Sequence, residues 1–198
     1  VNSMFTADAI SMCTNIDTNH ALEVFSHFFQ HNDICSSIRQ DSEMILSALE
    51  LLMKNNFFCF GDTYWKQLDG TAMGAPPAPA CATLYFAVHE VTLLQQFGKY
   101  LLYYGRFIDD ALGIWTAPSD SLEDAAQWSS FQQVLNSFGS LNWEVSQRSD
   151  SVDFMELNIS ISTGRITTKV FKKPQNLYLY LPPTSCHTPG ILRGTIIG

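Results

Sequence analysis

The stretch Tyr103–Trp115, YYGRFIDDALGIW, limits the folds open to this chain more than any other. Two apolar runs of strand length flank a pair of adjacent carboxylates, which predicts an antiparallel hairpin with Asp109-Asp110 at its tip. The pair is costly. Neighbouring like charges repel, partial burial makes each harder to ionise, and an ordinary tight turn is better served by Asp-Gly or Asn-Gly. Two readings are open: a solvated turn, or a positive ion held between these acids and a third one elsewhere.

A third acid is at hand. The segment SMFTADAISM predicts a short strand ending near Asp8. If that strand neighbours the hairpin in one sheet, three carboxylates far apart in sequence meet at one edge. Such a site of hard oxygens suits Mg²⁺ or Mn²⁺, and the cation removes the repulsion that makes the acid pair costly. Two ions about 3.5–4 Å apart can activate an attacking hydroxyl and stabilise a leaving phosphate oxygen.

The rest of the chain supplies helices to back such a sheet. DTNHALEVFSHFFQ predicts a helix begun by Asp17 or Thr18, with Ala21, Val24, Phe25 and Phe28 on one face. DSEMILSALELLMKN predicts a second, begun by Asp41 or Ser42, with Ile45, Leu46, Leu49, Leu52 and Met53 inward. FFCFGDTYWKQ reads as a hairpin turning at Gly61-Asp62. A Gly/Pro/Ala loop then leads into a long apolar helix from about Pro77, closed by Gly98. After the acidic hairpin comes an amphipathic helix begun at Ser119 to Ser121 and ended by Gly139. Strands follow in LNWEVSQ, VDFMELNISI, RITTKVFKK and LYLYL, with a turn at Gly164-Arg165. Trp65, Trp115, Trp128 and Trp143 read as core aromatics. Without regular βαβ alternation, this order predicts an α+β domain, an antiparallel sheet backed by helices.

At 198 residues, with 46% hydrophobic and 15% charged, the chain can bury a core as one domain. No apolar run is long enough to span a membrane, and the start lacks a basic region followed by an apolar one, so no membrane partner and an intracellular setting are expected. The five cysteines are scattered without a CxxC pair. That argues against a disulfide framework or zinc ribbon and for a reducing compartment. Asn158-Ile159-Ser160 matches a glycosylation sequon by chance, inside a strand. A net charge of −8 counts against a nucleic-acid binder, but its distribution does not. Residues 164–198 hold five basic side chains and no acidic one, whereas residues 1–163 hold six basic and 19 acidic. An acidic body can hold metal and a basic end phosphates; chance segregation of exposed charge is the alternative. His27 and His31 lack a third ligand, His89-Glu90 lacks the second histidine of a zincin, and no GxSxG, P-loop or GxGxxG occurs.

FIDD, preceded by Arg106, resembles the third catalytic motif of reverse transcriptases. FTADAISMCTNID resembles their first and KQLDGTAMGAPPAPACATLYFAVHE their second, all in the family's order. The tail KVFKKPQNLYLYLPPTSCHTPGILRG resembles the reverse transcriptases of Penelope-like retroelements. The resemblance implies a polymerase palm over residues 1–163. Residues 164–198 would form a C-terminal β-hairpin extension, basic and primer-grip-like, leading to a truncated thumb. Fingers would be missing ahead of the first motif, and no endonuclease would follow. The implied activity is RNA-directed DNA polymerisation in the nucleus, extending a DNA primer on an RNA template with deoxynucleoside triphosphates; no protein partner is implied.

By the same resemblance, Asp8, Asp109 and Asp110 are the catalytic acids. They would hold two Mg²⁺ or Mn²⁺ ions with the Ala9 carbonyl, Asp109 as direct ligand and Asp110 in support. Ala9, Ile10 and Ser11 would underlie the triphosphate. Cys13 stands where the family places a Tyr or Phe against a ribose 2′-hydroxyl, so weakened exclusion of ribonucleotides is expected; a small core residue is the alternative. Gln67, Gly70, Met73 and Gly74 match the second motif, and Ala75 departs from its usual serine. Arg106, Lys169, Lys172 and Lys173 would meet primer or template, a solvated basic strand being the alternative for the lysines. Ser185 and His187 belong to the tail pattern and read as packing residues. Two rival functions stay open: a decayed or co-opted palm that binds nucleic acid or a partner without polymerising, and another two-metal phosphoryl-transfer enzyme such as a nuclease.

Overall fold

The computed structural model describes residues 2–31 and 36–172. The chain opens with β1 (Asn2–Ala9), followed by α1 (Met12–Asn15), α2 (Thr18–His31), α3 (Ser36–Gln40) and α4 (Ser42–Lys54). A hairpin of β2 (Phe57–Phe60) and β3 (Thr63–Lys66) leads to the long helix α5 (Ala78–Phe97). Then come β4 (Leu101–Phe107), β5 (Asp110–Thr116), α6 (Ser121–Leu135), β6 (Trp143–Val145), β7 (Ser151–Phe154), β8 (Leu157–Ser162) and β9 (Arg165–Val170). Among the described residues no helix is long and apolar enough to cross a membrane.

The main sheet has the order β4-β5-β1-β6, every pair antiparallel. With the segment from α1 to β3 set aside, β1, α5, β4, β5, α6 and β6 form a split βαββαβ unit, β5 lying between β1 and β4. The expectation of a mixed fold with antiparallel sheets and helices holds. Alternation along each strand sorts the two faces. Phe5, Ala7 and Ala9 of β1 turn to the helices with Ala111, Trp115 and Trp143, and join Phe86, Leu93 and Phe97 of α5 and Phe131 and Leu135 of α6. Phe5 is fully buried, its ring edge-on to Trp128 and Phe131 at centroid distances of 5.0 and 5.3 Å. Burial of each such ring contributes about 1.5–3 kcal/mol.

On the opposite face, Met4 and Ile114 pack against Val152 and Ile159 of a three-stranded sheet, β7-β8-β9. Met4, Thr6 and Asp8 share this face, and the cover over Met4 stops short of Asp8, which is exposed.

Several local expectations change. VDFMELNISI is two strands, not one, because the chain reverses at Met155-Glu156 with Met155 at φ 53°. Leu52 and Trp65 are exposed, 48% and 54%, rather than in the core. Trp65 sits on the β2–β3 hairpin, whose strands pair only with each other among the described residues and are exposed at every residue. Helix α6 stops at Leu135, ahead of Gly139, where the Asn136 side chain accepts from the Trp143 N–H at 2.6 Å and turns the chain into β6. The expected boundary between residues 163 and 164 falls in the turn from β8 to β9. Lys173, LYLYL, Ser185 and His187 lie outside the described residues.

Candidate active site

Register builds the site. Pairing of β1 with β5 sets Asp8 opposite Asp110, and pairing of β1 with β6 sets Asp8 opposite Glu144. Residues opposite one another point to the same face, so Asp110, Asp8 and Glu144 form a row across three strands, away from the helices. The turn between β4 and β5 is Ile108-Asp109, with Ile108 at φ 54°. The tip therefore lies one residue earlier than the sequence suggests. Asp110 is the first residue of β5, and Asp109 occupies the turn, where its carbonyl accepts from the Ala9 N–H at 2.9 Å.

The acids feel one another. Desolvation raises the Asp8 carboxyl above its ordinary value, and the charges of Asp109 and Glu144 push it further the same way. Asp8, Asp110, Glu144 and Asp153 line one open cleft of about 360 Å³, walled on one side by Phe154 and Met155; among the described residues none that lines it is basic. Asp153 is engaged, accepting from the Asn158 amide at 2.7 Å. Among the described residues, no three His, Cys, Asp or Glu side chains are already gathered at metal-ligating spacing. The donor chemistry nevertheless fits a hard divalent cation, because the side-chain donors lining the cleft among the described residues are oxygens, the carboxylates joined by the hydroxyls of Thr6 and Ser146.

Sequence reasoning missed Glu144 and the β7–β8 tip. Alternation in Trp143-Glu144-Val145 marks Glu144 as outward-facing, but only the strand order makes it a neighbour of Asp8. Phe154 and Met155 read as the middle of a strand, and only the reversal there brings them to the cleft.

The loop of the second motif docks on the first. Gly70 donates its N–H to the Ile16 carbonyl at 3.1 Å, while Thr71 reaches the Cys13 carbonyl with its N–H at 2.6 Å and its hydroxyl at 3.2 Å. Gly70 is at φ 82°, and a Cβ there would lie 2.8 Å from the Cys13 carbonyl oxygen, so the glycine serves this docking. Gln67 folds onto its own loop, donating to the Asp69 carbonyl at 2.8 Å. Ile10 is exposed and donates its N–H to Asn142 at 2.9 Å. The Ser11 carbonyl accepts from the N–H groups of Thr14 and Asn15. Gly74 is at φ 94° in open space, Met73 is exposed, and the Ala75 N–H bonds Ala72 at 3.0 Å. The Cys13 side chain packs, half-buried, against the main core.

Of the basic residues expected at primer or template, Arg106, Lys169 and Lys172 fall among the described residues. Arg106 lies opposite Ala111 on the helix-facing side of β4, with its side chain 4% exposed and its Nε 2.7 Å from Glu90. The alternation that exposes Phe107 on the outer face turns Arg106 inward. Lys169 pairs with Asn158 on the face of the small sheet opposite Ile159. Neither Lys169 nor Lys172 lines the cleft.

Fold and site together define a class: an α+β domain built on a split βαββαβ sheet, with an exposed Asp8 on β1 and a half-buried Asp110 on β5 at one end of it. No family model and no curated protein matches the chain. Solved structures do match in fold. Candida albicans telomerase in complex with a fragment of telomeric RNA superposes with a TM-score of 0.63 at 14% identity, over 85% of this chain and 30% of that one. Apo telomerase from Candida tropicalis truncated from its C-terminal domain gives 0.59 at 15% identity, over 85% and 35%. A further apo telomerase from Candida tropicalis gives 0.59 at 13%, over 84% and 32%. The chain thus spans about a third of the telomerases it resembles, and at these identities the likeness is one of fold.

Proposed function

We propose that this chain is the catalytic core of an RNA-directed DNA polymerase, which adds deoxynucleotides to a primer 3′-hydroxyl on an RNA template in the nucleus. The observation that carries the reading is the in-register pairing of Asp8 with Asp110, with Asp109 in the adjoining turn, beside a cleft whose charged lining among the described residues is acidic. The fold likeness to telomerase, a relative of reverse transcriptases, supports the same reading.

Asp8, Asp109 and Asp110, with the Ala9 carbonyl, would hold two Mg²⁺ or Mn²⁺ ions. When bound, these would activate the primer hydroxyl and offset charge on the reacting phosphate. The chain's own contribution is geometric. Strands β1 and β5 present carboxylates side by side, and the turn fixes Asp109 next to them. Phe154 and Met155 add an apolar wall against which the sugar and base of a primer end can rest. In this reading the β7–β8 tip acts beside the grip expected at Lys169, Lys172 and Lys173. Cys13, half-buried, leaves the 2′-hydroxyl position ungated.

Primer extension on an RNA template with Mg²⁺, by the full-length protein and its Asp109→Ala variant, tests this. Product from the unaltered protein alone is expected, and equal product from both overturns the proposal. That no three-ligand set is preassembled among the described residues favours a second reading, a co-opted module that binds nucleic acid without polymerising. Absence of product from either protein, with primer–template still bound in EDTA, selects it.

A further inference from the structure

Arg106, three residues ahead of Asp109, is tied into the protein at both ends. Its Nε and Nη2 donate to the two carboxylate oxygens of Glu90 at 2.7 and 2.8 Å. Nη2 also donates to the Thr83 carbonyl at 2.9 Å, and the guanidinium lies 5.3 Å from the Phe86 ring centroid. Glu90, Thr83 and Phe86 all belong to α5. The remaining arm, Nη1, donates to the Ile108 carbonyl at 2.6 Å. Glu90 is braced in turn by the Tyr104 hydroxyl at 2.9 Å.

This matters because of what Ile108 is. A β-branched residue rarely adopts positive φ, and such a conformation persists only when its surroundings over-determine it. The Ile108 carbonyl belongs to the peptide plane that precedes Asp109, and the Asp109 carbonyl to the plane that follows it. The first is held by Arg106 and the second by the N–H of Ala9, the residue next to Asp8. Both backbone dihedrals of Asp109 are thereby fixed, one from α5 and one from β1.

We propose that Arg106 and Glu90 form a buried clamp that sets the direction of the Asp109 carboxylate. Arg106 is a positioning residue and touches neither template nor primer. The metal-binding consequence rests on the proposed role of Asp109, whereas the conformational consequence does not.

Two variants separate the clamp from simple loss of stability. Arg106→Lys keeps a cation beside Glu90, but a single ammonium cannot reproduce the fork and reach Ile108 as well. Arg106→Met combined with Glu90→Leu removes both charges, so no buried carboxylate is stranded. Three quantities are measured on the full chain: amide hydrogen exchange at Ala9 against Phe5 and Ala7 on the same strand, the Mn²⁺ dissociation constant, and the thermal midpoint. In both variants exchange at Ala9 should accelerate selectively, and Mn²⁺ should bind about tenfold or more weakly, as when an outer hydrogen-bond partner of a ligand is removed. Unchanged Ala9 protection in both variants overturns the clamp, as does acceleration spread evenly along β1 in step with a lowered midpoint. If the unaltered chain binds no Mn²⁺, the metal reading of the site fails, while exchange at Ala9 still decides the clamp.

Discussion

Gly113→Ala tests the close approach of β1 and β5 on which the acid pair depends. Gly113 pairs with Phe5, three positions along the same ladder from Asp110 and Asp8. A Cβ at 113 would fall onto Cζ and Cε1 of the Phe5 ring and within 3.1 Å of Cε2. Normal carbon contacts lie at about 3.5–4 Å, so the ring would have to retreat by about 1 Å or more. It has nowhere to go, being fully buried with its edge against Trp128 and Phe131. Overpacking of this kind costs about 1–3 kcal/mol, and the lost backbone freedom of the unfolded glycine returns about 0.4–1 kcal/mol. At the middle of both ranges the net expectation is a loss of about 1.3 kcal/mol, or about 3–5 °C in melting temperature for a chain of this length. Urea unfolding followed by tryptophan fluorescence measures it, alongside Phe5→Leu and the double variant. The double variant should be less destabilised than the two single losses summed, by about 0.5 kcal/mol or more. A Gly113→Ala protein as stable as the parent, or strict additivity, refutes the argument.

Arg148 grips Asp124 with two hydrogen bonds at 2.8 and 2.7 Å and lies 4.8 Å from the Trp128 ring centroid; Arg148→Met should cost about 1.5–3 kcal/mol by chemical denaturation. The Arg148 hydrogen bond is also the main reason the Asp124 carboxyl is held below its ordinary value, with the Trp115 indole helping against a smaller desolvation penalty. Its contribution is therefore complete above the ordinary carboxylate range and is lost as pH falls through the lowered value, so Arg148→Met should weaken the acid dependence of unfolding. Asp8 has the opposite sign, raised by burial, Asp109 and Glu144. Folded Asp8 binds its proton more tightly than unfolded Asp8, so stability falls as pH rises through that window. In EDTA, Asp8→Asn should melt no lower than the parent at neutral pH, with the advantage shrinking on acidification, and saturating Mn²⁺ at about 100 times Kd should stabilise only the parent, by about 2.7 kcal/mol. Gly70→Ala meets both positive φ and the Cys13 carbonyl, whereas Gly74→Ala at φ 94° meets open space. Unfolding should show a loss above about 2 kcal/mol for the first and about 1–2 kcal/mol for the second, the strain alone.

The meeting of Asp8 with the acidic hairpin was legible because it depends on period-two alternation and on three segments that each read as strands. What was lost depends on contacts between distant elements. Local rules disfavour isoleucine at positive φ, so they place the turn on the two aspartates; the actual turn at Ile108-Asp109 is held from outside, by an arginine anchored on α5. That arginine, next to acids and strongly basic, reads as a phosphate ligand until register turns it toward Ala111 and the helices. Trp65 reads as a core residue because aromatic strands usually find a sheet, and among the described residues β2 and β3 find only each other.

The acid row also explains why the burial beneath it is so heavy. Like charges directly opposite on neighbouring strands weaken their pairing, and here Asp8 faces a carboxylate on each side. Strands β1 and β5 stay paired because their other face carries Phe5 and Trp115, both fully buried under α6 and its aromatic residues. Stability and chemistry are thus divided between the two faces of the same residue ladder, with Phe5, Ala7 and Ala9 holding the pair together while Asp8 strains it. A substitution on the buried face therefore changes the spacing of the carboxylates without touching them. Removing the Asp8 carboxylate is expected to relax the sheet and, on the proposed reading, to disable the site in one step. A solvated turn lacks this coupling, and its aspartates could be exchanged for asparagine with no effect on stability.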